Sequence, residues 1–221
     1  MIDVAQIDTT IHIGSLAIHQ PVTAFTDYVI TLLGLFFYYK LHKKNETAVV
    51  RNWSLFFGLL GISTLLGGSS HAFFEVHEGI AYKTVWLAMQ IVNGFALYFA
   101  QQATLVSILK DSDHANKWKL SYTIQLIVFI VAALFFQKYL VTIIENAIAL
   151  IPIMILHFTA KPKEKYHTKI GYGILISFIT AIVHGTKFSL DVHFNYNDIA
   201  HVFIMISLYV MYLGAKEKTI S

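Results

Sequence analysis

Seven long apolar runs, separated by short polar breaks, dominate the pattern along the chain. They cover residues 21–39, 53–74, 84–109, 120–136, 140–158, 170–188 and 198–213. The breaks are polar or charged (KLHKKNE, EVHEG, KDSDHANKWK), and the shortest is a turn around Gln137 and Lys138. Crossing a hydrocarbon core of ~30 Å takes roughly 20 residues of helix. Backbone groups cannot stay unpaired in lipid, so such segments are expected to be helical. The pattern predicts an all-α integral membrane bundle of seven transmembrane helices spanning 21–215. An extracytoplasmic segment, 1–20, precedes it and a cytoplasmic tail, 216–221, follows. No internal repeat or second domain interrupts the series.

Charge then orients the bundle. Only 13% of the residues are charged while 56% are hydrophobic, whereas soluble domains carry about 25% charged residues. Lys40, Lys43, Lys44 and Arg51 follow the first run, and Lys110, Lys117 and Lys119 the third. Lys161, Lys163, Lys165 and Lys169 follow the fifth, and Lys216 and Lys218 the seventh. Only Lys83, Lys138 and Lys187 fall on the other side. Basic residues concentrate on the cytoplasmic face of membrane proteins, so the N-terminus is expected outside and the C-terminus in the cytoplasm. The first twenty residues lack a basic leader followed by an apolar run, and no cleavable signal is expected. Short loops and no leader favour a bacterial inner membrane. The basic residues serve topology, so membrane lipids, not nucleic acid, are the expected partners. There are no cysteines, which excludes disulfides and thiolate metal sites.

This orientation brings a set of polar residues to one depth. Asp27 is early in the first segment; Ser69, Ser70 and His71 are late in the second. Glu145 and Asn146 open the fifth, His184 closes the sixth, and Asn197, Asp198 and His201 open the seventh, with Asn93 somewhat deeper in the third. Ionisable side chains in hydrocarbon cost roughly 2.5–3.5 kcal/mol each, so they face the bundle interior and mark function. Glu75, His77 and Glu78 fit a loop, and the cytoplasmic half is expected to hold little polar content beyond His157. That residue reads as a hydrogen-bonding helix histidine, and Lys187 as a snorkelling lysine.

His71, His184 and His201 come from three helices, which suits three imidazole ligands on a zinc ion with a fourth position open. Asp27 and Asp198 are candidates for a fourth ligand, an orienting partner or a general base. Ser63, Gly67 and His71 recur at intervals of four, so small residues leave room beside the imidazole. Asn93, Glu145 and Asn197 are candidates for substrate contact. Ser69 and Ser70 also read as cross-helix hydrogen bonders. A receptor, sensor or small-solute transporter with a metal-free polar pocket is the alternative. A haem held by two histidines ranks below both, and no lysine lies midway along the seventh segment for a retinal.

The second segment ends GGSSHAFFE, the seventh opens NYNDIAHVF, and the first contains FTDYVIT. At these residues the chain resembles the membrane-hydrolase superfamily that includes alkaline ceramidases and the progestin/adiponectin receptors. That group holds zinc by one His late in its second helix and two in an HxxxH early in its seventh. By position His71 and His201 look like two of those ligands, and Asp27 like the acidic position of the first helix. The chain departs from the pattern at Asn197, which takes the place of the earlier seventh-helix His. Gly67 stands where the family has a serine four residues before the first His, and no Asp opens the third segment. His184, Ser70 and Asp198 are the substitutes available. The resemblance implies zinc-dependent hydrolysis of a lipid amide or ester, with Asp27 or Asp198 as base and Ser70 or Asn197 polarising the carbonyl.

Overall fold

The computed structural model describes residues 9–44, 47–74, 79–109 and 113–219. Glu75, His77 and Glu78 lie outside the described residues. Seven helices there are long and apolar enough to cross a membrane. They are α1 (Pro21–His42), α2 (Ala48–Phe74), α3 (Ile80–Ile108), α4 (Asp113–Phe136), α5 (Tyr139–Thr159), α6 (Lys165–Thr186) and α7 (Tyr196–Glu217). Six of them run past their apolar stretch at the lysine-rich end. Long basic side chains there can lie along the helix and carry their charge to water, so the helix outlasts its hydropathy signal.

The helix ends follow local chemistry. Pro21 opens α1, where a missing N–H costs nothing. The Thr47 hydroxyl accepts from the Val50 amide to cap α2, and an Asn195–Asp198 capping box starts α7. Gln137, at φ 49°, makes the tight turn between α4 and α5. Two helices are irregular. The last turn of α2, Ser70–Phe74, is π-helical, and α6 is interrupted at Phe178 between Lys165–Ser177 and Ile179–Thr186.

One feature is not all-α. A small antiparallel hairpin, β1 (Ile11–Ile13) and β2 (Leu16–Ile18), turns at Gly14, which has φ 61°. Its pairs are Ile11 with Ile18, His12 with Ala17 and Ile13 with Leu16. The His19 amide bonds the Ala72 carbonyl at 2.9 Å, fastening the hairpin to the π turn.

Glycines allow α1 and α2 to meet closely. A Cβ on Gly34 would stand 2.8 Å from the Phe57 carbonyl and 3.0 Å from Gly61 Cα. Small residues at such crossings let backbones approach where lipid supplies no hydrophobic drive. An aromatic core fills the lysine-rich half. Phe37 stacks on Tyr212 at 4.3 Å, and the buried Trp53 indole donates to the Tyr166 hydroxyl at 2.9 Å.

Helices α3 and α5 run parallel and are joined by polar pairs. Thr142 donates to Gln90 at 2.9 Å, Asn93 to Asn146 at 3.0 Å, and Thr104 lies 3.2 Å from His157 Nε2. The sequence separations are 52, 53 and 53 residues, a single register. The expectation that the lysine-rich half holds little polar content beyond His157 is therefore corrected. Thr104, His157, Tyr166 and His167 are buried together there, with His157 and His167 joined Nδ1 to Nδ1 at 3.1 Å. These residues sit near the ends of hydropathic runs, where composition averages them away.

Candidate functional site

The site lies where α1, the π turn of α2 and the start of α7 converge. On α1, Thr23, Thr26 and Asp27 fall on one face, three and four residues apart. Asp27 is buried, and His201 Nε2 approaches its Oδ1 at 3.5 Å. His201 Nδ1 lies 2.7 Å from the Thr26 hydroxyl. That hydroxyl also lies 2.9 Å from the Thr23 carbonyl, and with its proton directed there it accepts from His201. In that arrangement Nδ1 carries the proton of the ring and Nε2 turns a lone pair to the carboxylate oxygen, an edge that a cation would bridge. With the hydroxyl turned to Nδ1, Nε2–H donates to Asp27 instead.

The spacing suits a metal ion. Two ligand atoms on tetrahedral zinc, with bonds of about 2.0–2.1 Å, stand roughly 3.3–3.4 Å apart. The 3.5 Å separation of Nε2 and Oδ1 is close to that edge. Gly67 packs directly beside the other carboxylate oxygen, where an added Cβ would lie in van der Waals contact with Oδ2 at 3.4 Å. A further indication is Ser70, fully buried, whose hydroxyl has no hydrogen-bond partner among the described residues. An orphaned buried hydroxyl is uncommon and points to a missing polar neighbour.

The remaining predicted residues divide into two groups. His71, on the π turn, sets its ring edge-on to Trp86 at 5.9 Å and lies within electrostatic range of Asp27, Asp198 and His201. His184 packs edge-on against Tyr196 at 5.4 Å and is also within range of His201. Among the described residues, no three His, Asp or Glu side chains already surround one point as a ligand set. Asp198 is fully engaged: Oδ1 accepts from Thr23 and Oδ2 from the Asn195 amide, both at 2.8 Å. Its carboxylate ties the start of α7 to α1. Asn197 sits in the same first turn, its amide donating to Asn195 Oδ1.

Asn93 and Glu145 belong to the seam among α3, α4 and α5. Asn93 bonds Asn146, while Glu145 accepts from Gln125 at 3.0 Å, which in turn accepts from Gln101. Sequence reasoning missed Thr23, Thr26 and Asn195. Their signal was available in the spacing of the two threonines and Asp27 on one face of α1.

Comparison with known proteins adds a family and no function. No curated protein and no solved structure matches the chain. One family model aligns with residues 22–220, beginning just past the hairpin. The chain belongs to DUF6962, a family of unknown function.

Proposed function

We propose that the protein is a zinc-dependent membrane hydrolase acting on an amide or ester bond of a lipid. The observation that carries this reading is the approach of His201 Nε2 to Asp27 Oδ1, at the separation of a tetrahedral edge. His201, Asp27 and His71 would hold the ion, with His184 the nearest further imidazole. A zinc ion there supplies Lewis acidity and activates water near neutral pH. Thr26 fixes the tautomer of His201 by accepting from Nδ1. Asp27 Oδ2, beside Gly67, is placed to take a proton, and the Ser70 hydroxyl to donate to a carbonyl oxygen. Asp198 holds the first turn of α7, and with it His201, against α1.

The lysine bias supports an N-terminus outside, a C-terminus in the cytoplasm and a site toward the outer leaflet, and the short loops favour a bacterial inner membrane. The test is elemental analysis of detergent-purified protein, alongside turnover of ceramides and lysolipids. Stoichiometric zinc, lost with activity in His201→Ala while insertion is intact, is the expected result. Well-folded wild-type protein that stays metal-free after zinc is offered would overturn the reading.

That no three side chains are yet gathered as ligands favours a second reading, a receptor, sensor or transporter with a metal-free pocket. His201 and Asp27 would then form an ion pair. Ligand-dependent thermal shifts in metal-free protein are its signature.

A further inference from the structure

A second concentration of unsatisfied polarity lies away from this site, between α4 and α5. These helices leave a groove of about 480 Å³, within the range of small-molecule sites. Its walls are mostly aliphatic, as expected of a surface facing acyl chains. Glu145 and Gln125 nevertheless line it, together with Tyr122, Ile148 and Pro152.

Each polar group there lacks something. Glu145 is 6% exposed, and its carboxylate accepts one hydrogen bond, from Gln125 to Oε1. Among the described residues no donor to the second oxygen is seen. Tyr122 is 3% exposed and its hydroxyl has no partner among the described residues. Pro152 has no N–H to give the carbonyl of Ile148, one turn earlier, and both residues form the groove wall. The Glu145 carboxylate thus faces an apolar groove with one hydrogen bond, beside a Tyr122 hydroxyl that can donate or accept and has no partner among the described residues. A carboxylate facing hydrocarbon is costly, and a cationic donor entering from the lipid answers it.

We propose that the α4–α5 groove binds a single-chain amphiphilic amine, entering from the lipid. Its ammonium pairs with Glu145 and donates to the Tyr122 oxygen or the Ile148 carbonyl, while its alkyl chain lies along the aliphatic walls. A fatty acid is rejected, because its carboxylate would meet Glu145 as a like charge. The occupant chemistry follows from this complementarity, and the site shares no residue with the His201–Asp27 centre.

Trp118 also lines the groove and provides a readout independent of hydrolysis. The full chain in phosphatidylcholine nanodiscs would be titrated with ω-bromoundecylamine, whose bromine quenches nearby indoles. Saturable quenching by the amine, absent with ω-bromoundecanoic acid and absent in Trp118→Phe, is expected. Glu145→Gln should weaken it by at least about tenfold, the scale of losing one charged hydrogen bond. Tyr122→Phe removes a hydroxyl with no partner among the described residues, so it should weaken the amine severalfold without lowering thermal stability. Should Glu145→Gln fail to fold, Tyr122→Phe decides alone. Equal, non-saturating quenching by amine and acid, or affinity unchanged in a folded variant, would overturn the proposal.

Discussion

His201 shows how one hydroxyl can decide the chemistry of a ring. Where Thr26 gives its single proton to the Thr23 carbonyl, the imidazole presents Nδ1–H to Thr26 and its lone pair to Asp27. Thr26→Val should therefore weaken zinc 10–100-fold, the usual effect of losing a partner that orients a ligand. Thr26→Ser should restore it, both read by competition with a chelator. Ser70→Ala separates a chemical role from a structural one. Its hydroxyl bonds nothing among the described residues, so removal should leave the melting temperature unchanged while lowering turnover by about 100-fold. At this scale the sequence was half legible. Asp27, His71 and His201 stood out because ionisable residues in apolar runs are conspicuous and depth is a one-dimensional property. Thr23 acts through a bond to the Asp198 carboxylate, Thr26 through a hydroxyl-to-backbone bond and Asn195 through a cap, none of which composition marks. Asp198 read as a candidate base, and only the contacts revealed that both of its oxygens are committed to Thr23 and Asn195.

Helix packing rests on a few close approaches that can be tested singly. Gly34→Ala puts a methyl 2.8 Å from the Phe57 carbonyl, so α1 or α2 must shift, at a cost of ~1–3 kcal/mol. Gly185, near the end of α6, has nothing within 4 Å of an added Cβ. Gly185→Ala should be neutral or stabilise by about 0.5–1 kcal/mol through helix propensity alone. Chemical denaturation in detergent distinguishes the two. The seven spans were legible because each apolar run exceeds the length of a short buried helix. The hairpin was not, since two strands of three residues carry too little alternation to be told from a polar lead-in. The interruption of α6 at Phe178 was likewise hidden, because Ser177 and Thr180 are too small a polar signal to break the apolar run around them. The α3–α5 pairs needed the fold itself, as Gln90 and Thr142 give no local sign of meeting.

Across the whole molecule, charge and polarity are sorted by end. At the lysine-rich end Lys218 pairs with Glu164, and Lys169 with Glu217. The hydrogen bond from Lys218 holds the Glu164 carboxyl below the usual carboxylate range. A depressed carboxylate contributes stability above its unfolded pKa and loses it as pH falls through the folded value. The stability gap between wild type and Glu164→Gln should therefore be present at neutral pH and close on acidification below the ordinary Glu range, followed by melting temperature. Orientation is open to direct test because the chain has no cysteine. A cysteine at Ser15 should react with an impermeant maleimide in intact cells, and one at Lys163 only after permeabilisation. The opposite pattern would invert the bundle. Between the two ends, α3 and α5 share cross-links in one register. Sliding one helix along the other would strain all three pairs, whose offsets agree to within one residue, ~1.5 Å of rise. The pair is thus a stiff mast, and any doorway to the bilayer must open by other helices pivoting around it.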